Sequence, residues 1–206
     1  MFSRFVMLAA VVLALLSARP ADADTVDSAK QFVADRSARA ITAMTGAGMP
    51  ESERREQFRV LFVEAVDLPA VGKFVLGRFW RVATPAQRHE FLALFEDVLV
   101  YSWANRFSNT AGGVRLQIND AMPDAGQGVR VESVIIREKQ DPVPLVWRLR
   151  PADGGWRVID LIAEGASMVA TYRDDYASVI AQGGGSVDVL IDALRRKVAQ
   201  LSASGH

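Results

Sequence analysis

The stretch DPVPLVWRLRPADGGWRVIDLIAEG, Asp141 to Gly165, alternates apolar and polar residues on either side of a turn-rich PADGG. In its first half Val143, Leu145, Trp147 and Leu149 fall on one side, and Arg148 and Arg150 on the other. A period of two puts successive side chains on opposite faces of a strand, so each half predicts a strand with one dry and one wet face. So short a connection makes the two strands antiparallel neighbours.

The same pattern continues upstream. GVRLQIND from Gly113 and GVRVESVIIRE from Gly128 are two more strands, set apart by PDAGQG and followed by KQDP. Val129, Val131, Ser133 and Ile135 share one face, opposite Arg130 and Glu132. The expectation is a curled antiparallel meander of about four strands over residues 112–164.

On both sides of the meander the period becomes helical. Val26, Ala29, Phe32, Val33, Ala40, Ile41 and Met44 recur at spacings of three, four and seven until Gly46 and Gly48 intervene. Pro50 with Glu51 and Glu53 marks a second helix start, and Phe58, Leu61, Phe62 and Ala65 supply its stripe. A third helix is predicted over Leu68 to Leu76, stopped by Gly77. Thr84-Pro85 then opens a helix reaching about Phe107, whose second half is apolar nearly all round and is expected to be buried on more than one side. Beyond Gly165 one helix carries Met168, Val169, Tyr172 and Tyr176. After GGGS a last one, N-capped by Ser186, buries Val187, Leu190, Ile191, Leu194, Val198 and Leu201. The order of helices, meander and helices predicts an α+β fold. It comprises a helical part 24–111, the sheet, and C-terminal helices 165–206, all one domain.

Residues 1–23 read as a cleaved signal peptide: Arg4, then the apolar run Val6 to Leu16, then Ala21-Asp22-Ala23 as the cleavage site. A run of about eleven residues is too short for a hydrocarbon core that needs about 20. The protein is therefore expected to be exported, with no cysteine for a lipid anchor or a disulfide. A periplasm suits such a chain. With 24 basic and 24 acidic residues, the chain lacks the basic excess that a nucleic-acid partner demands.

Catalytic patterns are scarce. Asp160 and Glu164 lie four apart in an apolar run, and two carboxylates with split pKa values could act as acid and base. The alternative is structural: Asp160 meets an arginine such as Arg148 or Arg157, and Glu164 helps to cap the next helix. His89 is the only histidine besides the terminal His206, and it sits among Arg88 and Glu90 in the first turns of a helix. No metal site, phosphate loop, nucleophile elbow or dinucleotide fingerprint is present in the pattern. No catalytic residue, metal or cofactor is expected. A sheet with one apolar face under aromatic-rich helices encloses either a solid core or a lined cavity, and periodicity does not separate the two. For Trp103 and Trp147 both roles stay open.

Two blocks carry a family resemblance. VDLPAVGKFVLGRFWRVATPAQRHEFLALFEDVLV, Val66 to Val100, and DPVPLVWRLRPADGGWRVIDLIAEGASMVATYR, Asp141 to Arg173, resemble the MlaC-type, or toluene-tolerance, phospholipid-binding proteins. The resemblance extends from about Thr25 to Leu201. Trp147 stands where the family usually has Tyr or Phe, and VGKF before VLGR is less typical. The resemblance implies a non-enzymatic periplasmic carrier, with acyl tails held in a cavity between the sheet and the helices. It also implies partners: an inner-membrane ABC transporter with an MCE-domain subunit and an outer-membrane lipoprotein complex, serving outer-membrane lipid asymmetry. A monomer is expected.

On that basis the sheet side of the tail site is assigned to Val131, Ile135, Leu145, Trp147, Leu149 and Val158. The helix side is assigned to Phe91, Phe95, Val98, Leu99 and Trp103, with Trp80 packing where the turn at Gly77 meets the sheet. Arg78 and Arg81 are candidates for a phosphate head group, or else pair with acids of the sheet such as Asp160. Two other functions compete with a carrier: an enzyme using Asp160 as base on a small hydrophobic substrate, and a solid-core module bridging envelope complexes.

Overall fold

The structure, a computed structural model, describes residues 21–46, 48–108, 113–138 and 140–203. Of the predicted leader, residues 1–20 lie outside them, and its last three, Ala21 to Ala23, open the first helix. Among the described residues there are seven helices and one sheet: α1 (Ala21–Thr45), α2 (Glu51–Ala65), α3 (Leu68–Leu76), α4 (Phe79–Val82), α5 (Pro85–Ser108), α6 (Met168–Gln182) and α7 (Val187–Ala203). The strands, β1 (Val114–Pro123), β2 (Val129–Arg137), β3 (Val143–Ala152), β4 (Gly155–Ala163) and β5 (Ala166–Ser167), pair in sequence order as an open antiparallel meander. The fold is α+β.

The fifth strand is an addition to the predicted sheet. Glu164 and Gly165 both take positive φ, 51° and 84°, and close a two-residue hairpin that pairs Ala163 with Ala166. Positive φ at both central residues is the requirement of the tight hairpin turn whose twist suits the flanking strands. Glu164 therefore occupies the turn, and the cap of α6 is Ser167, whose hydroxyl accepts from Ala170 N at 3.2 Å.

Two irregularities bend the sheet. The β1–β2 register slips between Ile118 and Asp120, leaving Asn119 unmatched, and the β3–β4 register slips between Arg148 and Leu149, leaving Ile159 unmatched. An extra residue on one strand bends it and increases the local twist. The sheet thus curls around its apolar face, and helices close the open side.

Three buried clusters hold the layers together. At one end of the sheet Val129, Val131, Leu149, Trp156 and Val158 pack against Ala29 and Val33 of α1. The Trp156 indole N–H donates to Ser28 Oγ at 3.1 Å, so this large ring is buried without losing its hydrogen bond. Phe91 and Phe95 of α5, stacked at 5.6 Å, join α3, α6 and α7 in the largest cluster, where Tyr176 meets both rings edge-on. Met44, Phe58, Val100 and Ala104 tie α1, α2 and the far side of α5. Val98, Leu99 and Val100 are buried in succession, as a helix covered on two sides requires.

The joints between helices follow the punctuation of the sequence. Asp67 caps α3 by accepting from Ala70 N at 3.2 Å and pairs with Arg150 of β3, while its own N–H donates to Val158 O at 2.9 Å. Gly77 ends α3 with φ 55° and ψ −126°, a conformation open essentially to glycine. Thr84 and Gln87 form a reciprocal capping box at α5: Gln87 N donates to Thr84 Oγ1 at 3.2 Å, and Thr84 N donates to Gln87 Oε1 at 2.9 Å. Ser186 caps α7, accepting from Asp188 N at 3.3 Å.

Candidate functional site

The half of the concave face not filled by α1 bounds a cavity of about 180 Å³. Its floor is Leu116 of β1, Ile135 of β2, Leu145 and Trp147 of β3, and Val158 to Leu161 of β4. Its walls come from Phe32, Val33, Ala40 and Ile41 of α1, Phe58, Leu61 and Phe62 of α2, and Phe95, Leu99 and Trp103 of α5. Met168, Val169 and Tyr172 of α6 complete them. The lining is almost wholly carbon. Many of these large side chains are only half-buried because they face the cavity.

The few polar groups at the wall are already occupied. The Trp147 indole N–H donates to Ser133 Oγ at 2.8 Å, so the ring offers its carbon edge and faces inward. Asp160 is buried, and both of its oxygens are used: Ser167 Oγ donates to Oδ2 at 2.6 Å and Val169 N donates to Oδ1 at 3.3 Å. The expected arginine partner is elsewhere. Arg148 lies opposite Asp160 in register, but its guanidinium binds Asp124 at 2.7 Å, and Arg157 donates to the Glu64 carbonyl. Asp160 instead anchors the start of α6, where unpaired N–H groups favour a carboxylate. The cation on the wall is Arg36, which lies over Phe32 and bridges α1 to α2 through Glu64 at 2.8 Å.

Carbon surface left facing water costs about 25 cal/mol per Å² relative to burial, so covering this lining with hydrocarbon is favourable. Chemically it can hide hydrocarbon. Among the described residues no group of three His, Cys, Asp or Glu side chains is placed to hold a metal ion.

Residues 34–196 match the family described as MlaC protein. The chain belongs to the MlaC family. Among its relatives is the toluene tolerance protein ttg2D of Pseudomonas putida, 25% identical over 138 residues, covering 66% of this chain and 63% of that protein. Another is the intermembrane phospholipid transport system binding protein MlaC of Haemophilus influenzae, 23% identical over 139 residues, 66% of this chain and 64% of that one. The chain thus spans somewhat less than two thirds of the length of either. In fold it is similar to a phospholipid-binding protein from Ralstonia solanacearum solved in complex with a phospholipid. That likeness has a TM-score of 0.73 and 24% identity, and covers 86% of this chain and 98% of that one.

In this MlaC-family chain the sequence-predicted tail residues divide. Phe95, Leu99, Trp103, Ile135, Leu145, Trp147 and Val158 line the cavity. Val131 and Leu149 do not: α1 lies directly on them, with Ala29 small enough to allow the close approach, and they are solid core. Phe91 and Val98 point into the helical cluster instead. Trp80 packs there too, not against the sheet, with the Arg88 guanidinium over its ring. Arg78 and Arg81 are exposed on the α3–α4 surface, off the cavity wall and without an ion pair to Asp160, because the turn at Gly77 carries the chain outward.

The α1, α2 and α6 lining was legible as helical stripes, but not as lining. A stripe shows which face turns inward and not whether the space in front of it is filled.

Proposed function

We propose that this protein is a phospholipid carrier that shelters acyl chains in the cavity between the curled sheet and the helices. The observation that carries the reading is the chamber itself, lined almost wholly by carbon between the curled sheet and the helices. Membership of the MlaC family supports the same cargo. Two tails carry roughly 30 methylenes, about 25 kcal/mol gross at about 0.8 kcal/mol each, above the practical ceiling of about 18–21 kcal/mol for any complex. The relevant competitor is the bilayer, which is equally dry. Near-parity with it permits both loading and unloading, and no reactive residue is needed.

The finer reading places the carrier in a periplasm, reached by way of the leader at residues 1–23. There it would exchange lipid between an inner-membrane ABC transporter with an MCE-domain subunit and an outer-membrane lipoprotein complex, maintaining outer-membrane asymmetry. The names of the relatives support it. Neither competing function gains an observation. Asp160 has both oxygens engaged as a helix anchor, which disfavours a general base, and the open chamber disfavours a solid-core bridge.

Leu145→Trp tests the cargo. Leu145 is 3% exposed to solvent on the cavity floor, and the larger ring would project into the chamber. Uptake of labelled phospholipid from vesicles should fall sharply while the protein stays folded. Undiminished uptake by a folded variant would show that the tails lie elsewhere.

A further inference from the structure

From Leu68 to His89 the chain holds no acidic residue, yet it carries Lys73, Arg78, Arg81 and Arg88 in a protein with equal numbers of acids and bases. The segment forms α3, α4 and the first turn of α5, and Arg173 of α6 reaches across to it, its guanidinium 4.8 Å from the centre of the Phe74 ring. Among the described residues none of these five cations has a carboxylate within ion-pair distance. The acids that bound the segment are spent elsewhere, Asp67 on Arg150 and Glu90 on Arg195. Asp174 and Asp175, next to Arg173 on α6, reach none of the five.

Three of the guanidiniums lie over aromatic rings: Arg173 over Phe74, Arg78 over Phe79 at 4.8 Å, and Arg88 over Trp80 at 5.4 Å. A ring beneath a guanidinium fixes its plane without using its N–H groups, which lowers the entropy lost when a carboxylate is gripped; the Arg88 guanidinium is fixed further by its Nε, which donates to Trp80 O at 2.9 Å. Two large apolar side chains stand exposed among them, Phe74 at 46% and Val82 at 70%.

We propose that this face, Lys73 to Arg88 together with Arg173, is a docking surface for a protein partner that presents a cluster of carboxylates. Pre-positioned arginines beside aromatic and aliphatic contacts are what protein interfaces concentrate their binding energy in. An anionic bilayer is the less fitting occupant, since it recruits flexible basic segments, whereas these cations stand on helices packed into the core. Charge of one sign also speeds encounter with an acidic surface. The inner sides of α3 and α6 contribute Val71, Val169 and Tyr172 to the cavity wall, so the docked partner would sit against the outside of that wall. The proposal does not depend on what the cavity holds.

The test is an amide chemical-shift titration of the isotope-labelled protein with a decaglutamate peptide, and with phosphatidylglycerol vesicles in parallel. Shifts should concentrate on residues 73–88 and 173 and fade above about 0.15 M salt, where screening acts within about 8 Å. Lys73→Gln/Arg81→Gln, two exposed side chains without a partner among the described residues, should weaken the peptide roughly three- to tenfold with an unchanged melting temperature. Arg78→Gln is the second variant and should act in the same direction. Shifts that are absent, or that centre on the basic residues of β1 and β2, would overturn the proposal. So would vesicle binding through this face without peptide binding, which would assign it to the membrane.

Discussion

Asp160 is a buried carboxylate in a carbon-lined wall, and its surroundings explain why it is there. Its two oxygens take the Ser167 hydroxyl and the Val169 amide, so it fixes the hairpin and the start of α6 together. Asp160→Asn should keep lipid uptake and lower stability by about 1–3 kcal/mol, because an amide cannot accept at both positions. Thermal unfolding beside an uptake assay checks both halves. Loss of uptake without loss of stability would reopen a direct role. Asp124 makes the complementary case: its hydrogen bond from Arg148 holds its pKa below the ordinary 3.8. A depressed folded-state value contributes stability above the unfolded pKa and loses it as pH falls through the folded one. Asp124→Asn should therefore cost stability near neutral pH and flatten the acid limb below about pH 4, measured by denaturant titration at several pH values. From the sequence Asp160 is legible as scaffold, but its partner is not. Ser167 comes within reach only through the tight Glu164-Gly165 turn, and a neighbouring arginine is the simpler expectation.

At the scale of elements, local chemistry decides most of the architecture. Thr84 and Gln87 satisfy each other's backbone N–H groups at the head of α5, the helix that joins two of the three cores. Thr84→Ala should cost about 1 kcal/mol and shift the melting temperature by about 2–4 °C, read by calorimetry. Gly77→Ala should cost about 1–3 kcal/mol, since its φ of 55° is strained for a side chain and the new Cβ would meet Arg173 Nε at 3.3 Å. The strands and helix starts follow from alternation and capping residues. The bulges at Asn119 and Ile159 do not, because one extra residue leaves the apolar count of a strand nearly unchanged while moving the faces beyond it. Val131 and Leu149 share their face with Ile135, Leu145 and Trp147, yet α1 covers only the first two. Which end of a sheet a helix covers depends on packing among distant segments.

For the whole molecule the central feature is a chamber held open between layers that are otherwise close-packed. Hydrocarbon bound in it takes the apolar lining out of water, so the lipid-free protein should melt at a lower temperature than the loaded one. The most direct measurement is mass spectrometry of the protein purified from its native compartment, first intact and then after extraction with organic solvent. About one phospholipid per chain, released by solvent but not by salt, is the predicted result. A stable, lipid-free protein that also takes up no phospholipid from vesicles would contradict the account.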